Sequence, residues 1–427
     1  MTSLYLLLWI AVGILLQVAL FLGIEFWRHW QTYGLLRKVV AGLDVGENSK
    51  NQADTPHTPA AAWTGLRTFK VERKVPEDAS AQICSFYLVP EDNQPLPPFL
   101  PGQFLTFQLS VASPTGEVLP VVRCYSLSDA PQSDCYRVSI KRAPAPPASA
   151  IAPGVASNHF HDHVQVGSLL QVRAPAGHFY IDPSNAPVVL IGGGIGITPM
   201  LSMLNWSLTE QSGREVWLFY GVRNRAELVM QTHLQDLAAQ HPNFHLHLCL
   251  SDPVPGDLDM HPLGPVHHHP SRVDVALLRR LLPLKPYHFY ICGPTPMLQS
   301  LVPALEDWGV PDARIHFEAF GPASIARKKS APSTVAPSNA EAEPILVTFA
   351  QSGKQLPWQP GMGSLLDFAQ DNGITVNSGC RAGSCGSCQT SIRSGEVAYT
   401  QSPDFDPEPG SCLLCVCTPK TAVTLEA

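Results

Sequence analysis

The chain has 427 residues, 45% of them apolar and 15% charged, with a net charge of −7. That length suggests about three domains with packed cores, and the acidic balance excludes a nucleic-acid footprint. Six of the eleven cysteines fall between Cys380 and Cys417, while Cys84, Cys124, Cys135, Cys249 and Cys292 follow no disulfide-framework spacing, which points to a reducing compartment.

Leu4 to Ile24 is almost wholly apolar, with Gln17 its only strongly polar residue. As a helix it would rise roughly 31 Å, enough for a bilayer core. Met1–Ser3 carries no basic residue and Trp27 and Trp30 follow, with Arg28, Arg37 and Lys38 beyond. Those flanks suit a retained single-pass anchor with the body in the cytoplasm. They do not suit a cleaved signal peptide or a buried core helix. The expected division is an anchor over 1–30, a linker over 31–62, an antiparallel barrel over 63–183, an α/β domain over 184–322, a second linker over 323–343 and a cysteine-rich domain over 344–427.

From Trp63 to about Tyr180 short apolar runs such as Phe104–Leu109 and Tyr136–Lys141 alternate with Pro and Gly, the mark of an antiparallel barrel. At Pro187 the pattern changes. Val188–Ile191, Val216–Tyr220, His245–Leu250 and His288–Cys292 read as strands, with a turn over Gly192–Gly196 and a helix over Met200–Thr209. That alternation implies a parallel α/β sheet. His267, His268 and His269 sit among Pro and Gly and read as a solvated loop. Ala323 to Pro344 is rich in Ala, Pro and Ser; as a flexible coil it would span ~26 Å.

Within these elements several groups carry chemistry. Arg123, Tyr125 and Ser126 place a phosphate clamp, a flat ring and a hydroxyl along one barrel strand; ordinary strand surface is the alternative. Gly154 to Asp162 reads as a helix start that Ser157 could cap, with free amides facing a phosphate; a plain capped helix is the alternative. Gly192-Gly-Gly-Ile-Gly-Ile-Thr-Pro199 follows a strand and opens a helix, although its register departs from G-x-G-x-x-G at Ile197. Cys292-Gly293-Pro294 ends a later strand. In an open α/β sheet both would lie at one crevice outside the strand ends. Arg223 and Arg225 follow the second strand of that sheet, where they could meet a 2′-phosphate or remain solvated loop charges.

Cys380, Cys385 and Cys388 are spaced C-x4-C-x2-C, with Cys412, Cys415 and Cys417 further on. Three close thiolates and a distant fourth form the plant-type [2Fe–2S] pattern. A four-thiolate zinc site is the alternative, but it favours paired short knuckles. Cys415 begins C-x3-P, ending at Pro419. That resembles the closing motif of plant-type ferredoxins, so Cys415 is taken as the fourth ligand and Cys412 and Cys417 as buried thiols.

Arg123–Ser126, Val138–Arg142, Val155–Asp162, Gly193–Pro199, Cys292–Pro294 and His316–Pro322 occur in an order that resembles the ferredoxin–NADP reductase superfamily. The flavohaemoglobin reductase part is the nearest in pattern. The C-terminal segment is similar to plant-type ferredoxins and to the ferredoxin modules of oxygenase reductases. This resemblance implies FAD, NAD(P)H and a [2Fe–2S] cluster, with a β-grasp fold for the last domain. It implies that Arg123 meets the flavin pyrophosphate, Tyr125 packs on the ring system and Ser126 reaches its reactive edge, with Lys141 nearby. Val155, Ala156 and Ser157 would meet the pyrophosphate. Gly193, Gly194, Gly196, Thr198 and Pro199 would hold the dinucleotide, with Gly293 and Pro294 beside them. Cys292 would lie by the nicotinamide, and Glu318 and Phe320 by the flavin. Ser126, Cys292 and Glu318 are thus the candidate catalytic residues. No globin lies ahead of the barrel in this chain, so haem chemistry is outside what the resemblance implies. The expected activity is electron transfer from NAD(P)H through FAD and the cluster to an acceptor protein of the oxygenase, haem or hybrid-cluster type. A membrane quinone reductase and a zinc-holding adaptor are the alternatives.

Overall fold

A computed structural model of the chain describes residues 62–427 except 64, 79, 113–117, 146–152, 258–265, 321–343, 380, 382, 384, 385, 401, 402 and 404. Among these residues no helix is long and apolar enough to cross a membrane. The longest has 14 residues, which rise about 21 Å. This corrects the fold class expected from the sequence: an N-terminal transmembrane helix is not supported, and Leu4–Ile24 lies outside the described residues.

The first sheet contains β1 (Arg67–Pro76), β2 (Ile83–Pro90), β3 (Phe104–Ala112), β4 (Val118–Ser126), β5 (Tyr136–Lys141) and β6 (Leu169–Ala176) in the order β4-β3-β6-β1-β2-β5. All its pairings are antiparallel, and a bridge from Leu127 to Val138 closes the two edges into a barrel. Phe69, Phe86 and Phe107 fill the interior. Helix α1 (Val155–Asp162) stoppers it with Phe160, fully buried and 5.2 Å edge-on to both Phe86 and Phe107. Lys74 Nζ donates to the carbonyls of His161 (2.8 Å) and Val164 (2.9 Å), a cation satisfying the open C-terminal end of α1.

The second sheet is wholly parallel, its strands almost continuously buried because helices cover both faces. It contains β7 (Val188–Gly193), β8 (Val216–Val222), β9 (Phe244–Leu250), β10 (Val266–His269), β11 (His288–Gly293) and β12 (Ile315–Ala319) in the order β10-β9-β8-β7-β11-β12. The helices are α2 (Ile197–Glu210), α3 (Gln231–Gln240), α4 (Val275–Leu281) and α5 (Thr295–Asp307). The chain steps from β7 through β10 in one direction and then crosses to β11 and β12. The topological switch point therefore lies between β7 and β11.

His267 to His269 belong to an edge strand of this sheet, not to the loop that Pro and Gly suggested. His267 pairs with His247 and His269 with Cys249 along β9. His247 Nδ1 and His269 Nε2 lie 2.9 Å apart, and burial pushes the His247 imidazole down to about 3, so it remains neutral.

The third fold is a β-grasp. It holds β13 (Ile345–Phe349), β14 (Lys354–Trp358), helix α6 (Leu365–Asp371), β15 (Gln389–Ser394), β16 (Val397–Tyr399), β17 (Ser411–Leu413), β18 (Cys417–Pro419) and β19 (Val423–Leu425). Five strands run in the order β14-β13-β19-β15-β17, with β13 and β19 parallel. Ser364 and Asp367 form a reciprocal capping box that starts α6.

Candidate functional site

The first turn of α2 is set by close backbone approach. A Cβ on Gly196 would stand 2.2 Å from the Cys292 carbonyl oxygen, and one on Gly193 would stand 2.6 Å from Met297 Sδ. Only glycine permits the ends of β7 and β11 to meet this way. The G-G-G-I-G turn and Cys292-Gly293-Pro294 are thereby brought together at the switch point. The turn is a short 3-10 segment, Gly194–Gly196, that feeds directly into α2. The helix thus starts at Ile197, three residues before the sequence expectation. Thr198 is buried and its hydroxyl donates to the Ile195 carbonyl (2.9 Å), with Pro199 in the first turn where a missing N–H is harmless.

Beside this crevice Cys292 pairs in register with Glu318 on β12. Cys292 is fully buried, and burial followed by the Glu318 charge raises its thiol well above the ordinary value. Glu318 Oε2 is out of solvent with no hydrogen-bond partner among the described residues. Burial pushes this carboxyl up to about 8, so it carries its proton at neutral pH. Phe320, just past β12, is exposed.

On the barrel, Arg123 is exposed and donates to the Val122 carbonyl (2.7 Å). The Tyr125 ring is held edge-on by Phe107 (5.8 Å) and Phe160 (5.3 Å), and burial raises its phenol so that it stays neutral. Ser126 is buried at the end of β4, and Lys141 is exposed at the end of β5. In α1 the N-cap is Gly154, with no side-chain cap. Ser157 is therefore the third helical residue and not the cap expected from the sequence. The amides of Val155, Ala156 and Ser157 remain those of an open first turn.

Arg223 forms an ion pair with Glu227 four residues on. Arg225 instead lines a cleft of about 890 Å³ between the barrel and α3, together with Arg73, Tyr87, Arg137 and His233. The two arginines thus differ, which the sequence did not reveal.

In the β-grasp fold, Cys388 Sγ and Cys415 Sγ are 3.2 Å apart. Two thiolates that close can share one metal. Cys380 and Cys385 lie outside the described residues. Cys412 and Cys417 are fully buried; a hydrogen bond from Cys412 and then burial raise the Cys417 thiol, so these two serve each other. Arg381, at φ +56°, reaches from the cysteine loop to Asp367 (2.9 Å) and to Gln370 on α6. Nothing in the spacing signalled that tether.

A second feature went unread in the sequence. Asn205 donates to Asp129 Oδ1 (2.7 Å), and Ser202 donates to the Asp129 carbonyl (2.7 Å). Arg137 pairs with Asp129 Oδ2 (3.2 Å), and His233 Nε2 lies 3.1 Å from Asn205 Oδ1. This network clamps α2 and α3 onto the barrel. Its only sequence signal was an Asp three residues beyond Ser126.

These sites fit the groups such folds carry. The glycine-lined crevice admits a dinucleotide backbone, the exposed Arg123 and the open first turn of α1 each suit a phosphate, and the Cys388–Cys415 pair suits iron. Comparison with known proteins agrees. Residues 190–302 match the oxidoreductase NAD-binding domain family, and 347–420 match the 2Fe-2S iron-sulfur cluster binding domain family. A flavohemoprotein of Halalkalibacterium halodurans is 35% identical over 301 residues, 70% of this chain and 69% of that protein. The flavohem-like FAD/NAD binding domain of nitric oxide dioxygenase from Vibrio cholerae O1 biovar El Tor superposes with a TM-score of 0.51 at 32% identity, covering 60% of this chain and all of that one. A type IV self-sufficient cytochrome P450 monooxygenase has the same fold over 85% of this chain and 41% of its own, with a TM-score of 0.51 at 23% identity. Shared sequence over more than two thirds of a relative settles the family: the chain belongs to the ferredoxin–NADP reductase superfamily and is an NAD(P)H-dependent FAD flavoprotein oxidoreductase with a [2Fe–2S] ferredoxin domain.

Proposed function

We propose that this chain draws electrons from NAD(P)H and delivers them singly to an acceptor protein. When bound, FAD accepts a hydride's two electrons and the [2Fe–2S] cluster relays them one at a time. The chain binds, orients and shields. Arg123 and the amides of Val155, Ala156 and Ser157 hold the flavin pyrophosphate. Tyr125 supports the ring system, and the Ser126 hydroxyl donates to its reactive edge. Lys141 and Phe320 border the flavin.

Gly193, Gly194, Gly196, Thr198 and Pro199 line the dinucleotide path, with Gly293 and Pro294 opposite. Cys292 excludes water beside the nicotinamide as a neutral thiol. Glu318 holds a proton on a carboxyl whose Oε2 has no hydrogen-bond partner among the described residues, which equips it to hydrogen-bond the reacting rings. Arg225, whose neighbour Arg223 is already paired with Glu227, receives the 2′-phosphate and makes NADPH the better donor. Cys380, Cys385, Cys388 and Cys415 bind the cluster.

One observation carries the reading: a nucleotide crevice closed by the Gly196–Cys292 contact and a close thiol pair occur in one compact unit, Pro59–Ala427. Stripping the flavin tests it. NAD(P)H should then produce no paramagnetic signal from the cluster, and added FAD should restore it. A full signal from flavin-free protein would refute the order of transfer.

A further inference from the structure

We propose that Arg173 and Phe405 form the seat through which the ferredoxin domain docks on the barrel, making Arg173 a positioning residue for electron transfer from flavin to cluster. The proposal rests on the electron path given above and assigns a residue pair to one step of it.

Phe405 rides on the cysteine loop. Its N–H donates to the Gly383 carbonyl (3.0 Å), and its ring carbons lie 2.6–2.8 Å from where a Cβ on Gly386 would stand. Gly383 and Gly386 flank Cys385 and take φ of +74° and +73°, the left-handed region that glycine tolerates. The phenyl ring is therefore fixed to the loop that carries three of the four ligand cysteines. On the barrel side, the Arg173 guanidinium carbon sits 5.3 Å from the centroid of that ring. Both side chains are half-buried. A cation over an aromatic face gains as water is excluded.

Arg173 stands at the end of a row of paired residues that leads towards Ser126. It pairs with Thr106, which pairs with Cys124. Directly opposed residues share a sheet face, and the 3.2 Å contact of Thr106 Oγ1 with Cys124 Sγ puts those two on the same side. Ser126 follows two residues later on that face. Two strand spacings and two residues along β4 amount to about 12 Å from Arg173 to Ser126. The seat thus holds the cysteine loop against a strand position a short distance from Ser126, the residue that would meet the reactive edge of a bound flavin.

In each event the reduced flavin gives up one electron and the oxidised cluster gains it, without a bond made or broken; the second electron follows in a second event. The rate of such a step falls steeply with separation. Residues that fix the separation fix the rate without touching either redox group.

The test uses the full chain with both groups bound and compares Arg173→Ala, Arg173→Lys, Phe405→Leu and the Arg173→Ala/Phe405→Leu pair with the unsubstituted protein. After mixing with NAD(P)H, flavin bleaching should keep its rate in every variant. Cluster bleaching should slow at least tenfold in Arg173→Ala and Phe405→Leu, recover partly in Arg173→Lys, and be no slower in the pair than in either single change. Ferricyanide reduction directly from the flavin should be unaffected. Hydrogen exchange supplies a measure independent of turnover: amides of Leu169–Ala176 and of 405–410 should both exchange faster in Arg173→Ala. Unchanged cluster bleaching, or unchanged exchange in both segments, would overturn the seat. Slowing of the flavin and cluster phases together would also overturn it, by marking Arg173 as a general structural residue. If the unsubstituted protein fails to bleach its cluster at all, the electron path itself fails, and exchange alone then decides whether the seat exists.

Discussion

At the scale of single residues, Glu318 has the strongest physical signature in the crevice. Its carboxyl is raised from the ordinary 4.5 to about 8 by burial alone. The folded protein therefore keeps a proton that the unfolded chain releases near pH 4.5. The stability this contributes is fully present below pH 4.5 and is lost as pH rises through 8, a difference on the order of a few kcal/mol. The unfolding temperature should fall between pH 5.5 and 8.5, and Glu318→Gln should flatten that fall; parallel curves for the two proteins would contradict the assignment. Cysteine identity is tested as directly. Cys415→Ala should abolish the paramagnetic signal of the reduced cluster, whereas Cys412→Ala and Cys417→Ala should retain it. Loss of the signal in Cys412→Ala with its survival in Cys415→Ala would reverse the choice. Gly196→Ala drives a methyl against the Cys292 carbonyl, a backbone atom that cannot swing aside. It should weaken NAD(P)H binding at least tenfold in equilibrium titration, and unaltered binding would mean the two loops part freely.

At the scale of elements, the clamp between the barrel and α2 and α3 decides how the two nucleotide surfaces meet. Asp129 accepts from Asn205 while pairing with the buried Arg137. Asp129→Ala would leave the buried Arg137 guanidinium, among the described residues, with only its two bonds to Ser128 and no counter-charge, a change that costs about 3–5 kcal/mol when a buried pair is broken. Asn205→Ala removes the donor to the Asp129 carboxylate and the acceptor facing His233; it should cost about 1.5–3 kcal/mol, while slowing flavin reduction by NAD(P)H and leaving FAD content intact. An unchanged rate in Asn205→Ala would show that the clamp does not orient the domains for hydride transfer. Strand Tyr136–Lys141 was legible to the residue, because Tyr136, Val138 and Ile140 alternate with Arg137, Ser139 and Lys141. Strand β10 was not, because its three histidines gain their conformation from pairing with β9, a tertiary cause invisible in a Pro/Gly-rich stretch. Glycine and cysteine motifs could be read because their spacing encodes close approach. The Asp129–Asn205 bond joins residues 76 positions apart, so no local pattern reports it.

At the scale of the whole molecule, three folds are combined in one described unit, with Ile83 of the barrel packed into the core of the parallel sheet. The barrel supplies an exposed cation and an open helix start, the parallel sheet supplies the glycine crevice at its switch point, and the β-grasp supplies paired thiols. None of these alone changes a two-electron donor into a one-electron source; the combination does. The deciding measurement is a stopped-flow absorbance record after NAD(P)H is mixed with the oxidised protein under anaerobic conditions. The account expects the flavin band to bleach first and the cluster band to follow in a distinct slower phase. Bleaching of the cluster ahead of the flavin, or a cluster that stays oxidised while the flavin is fully reduced, would contradict it.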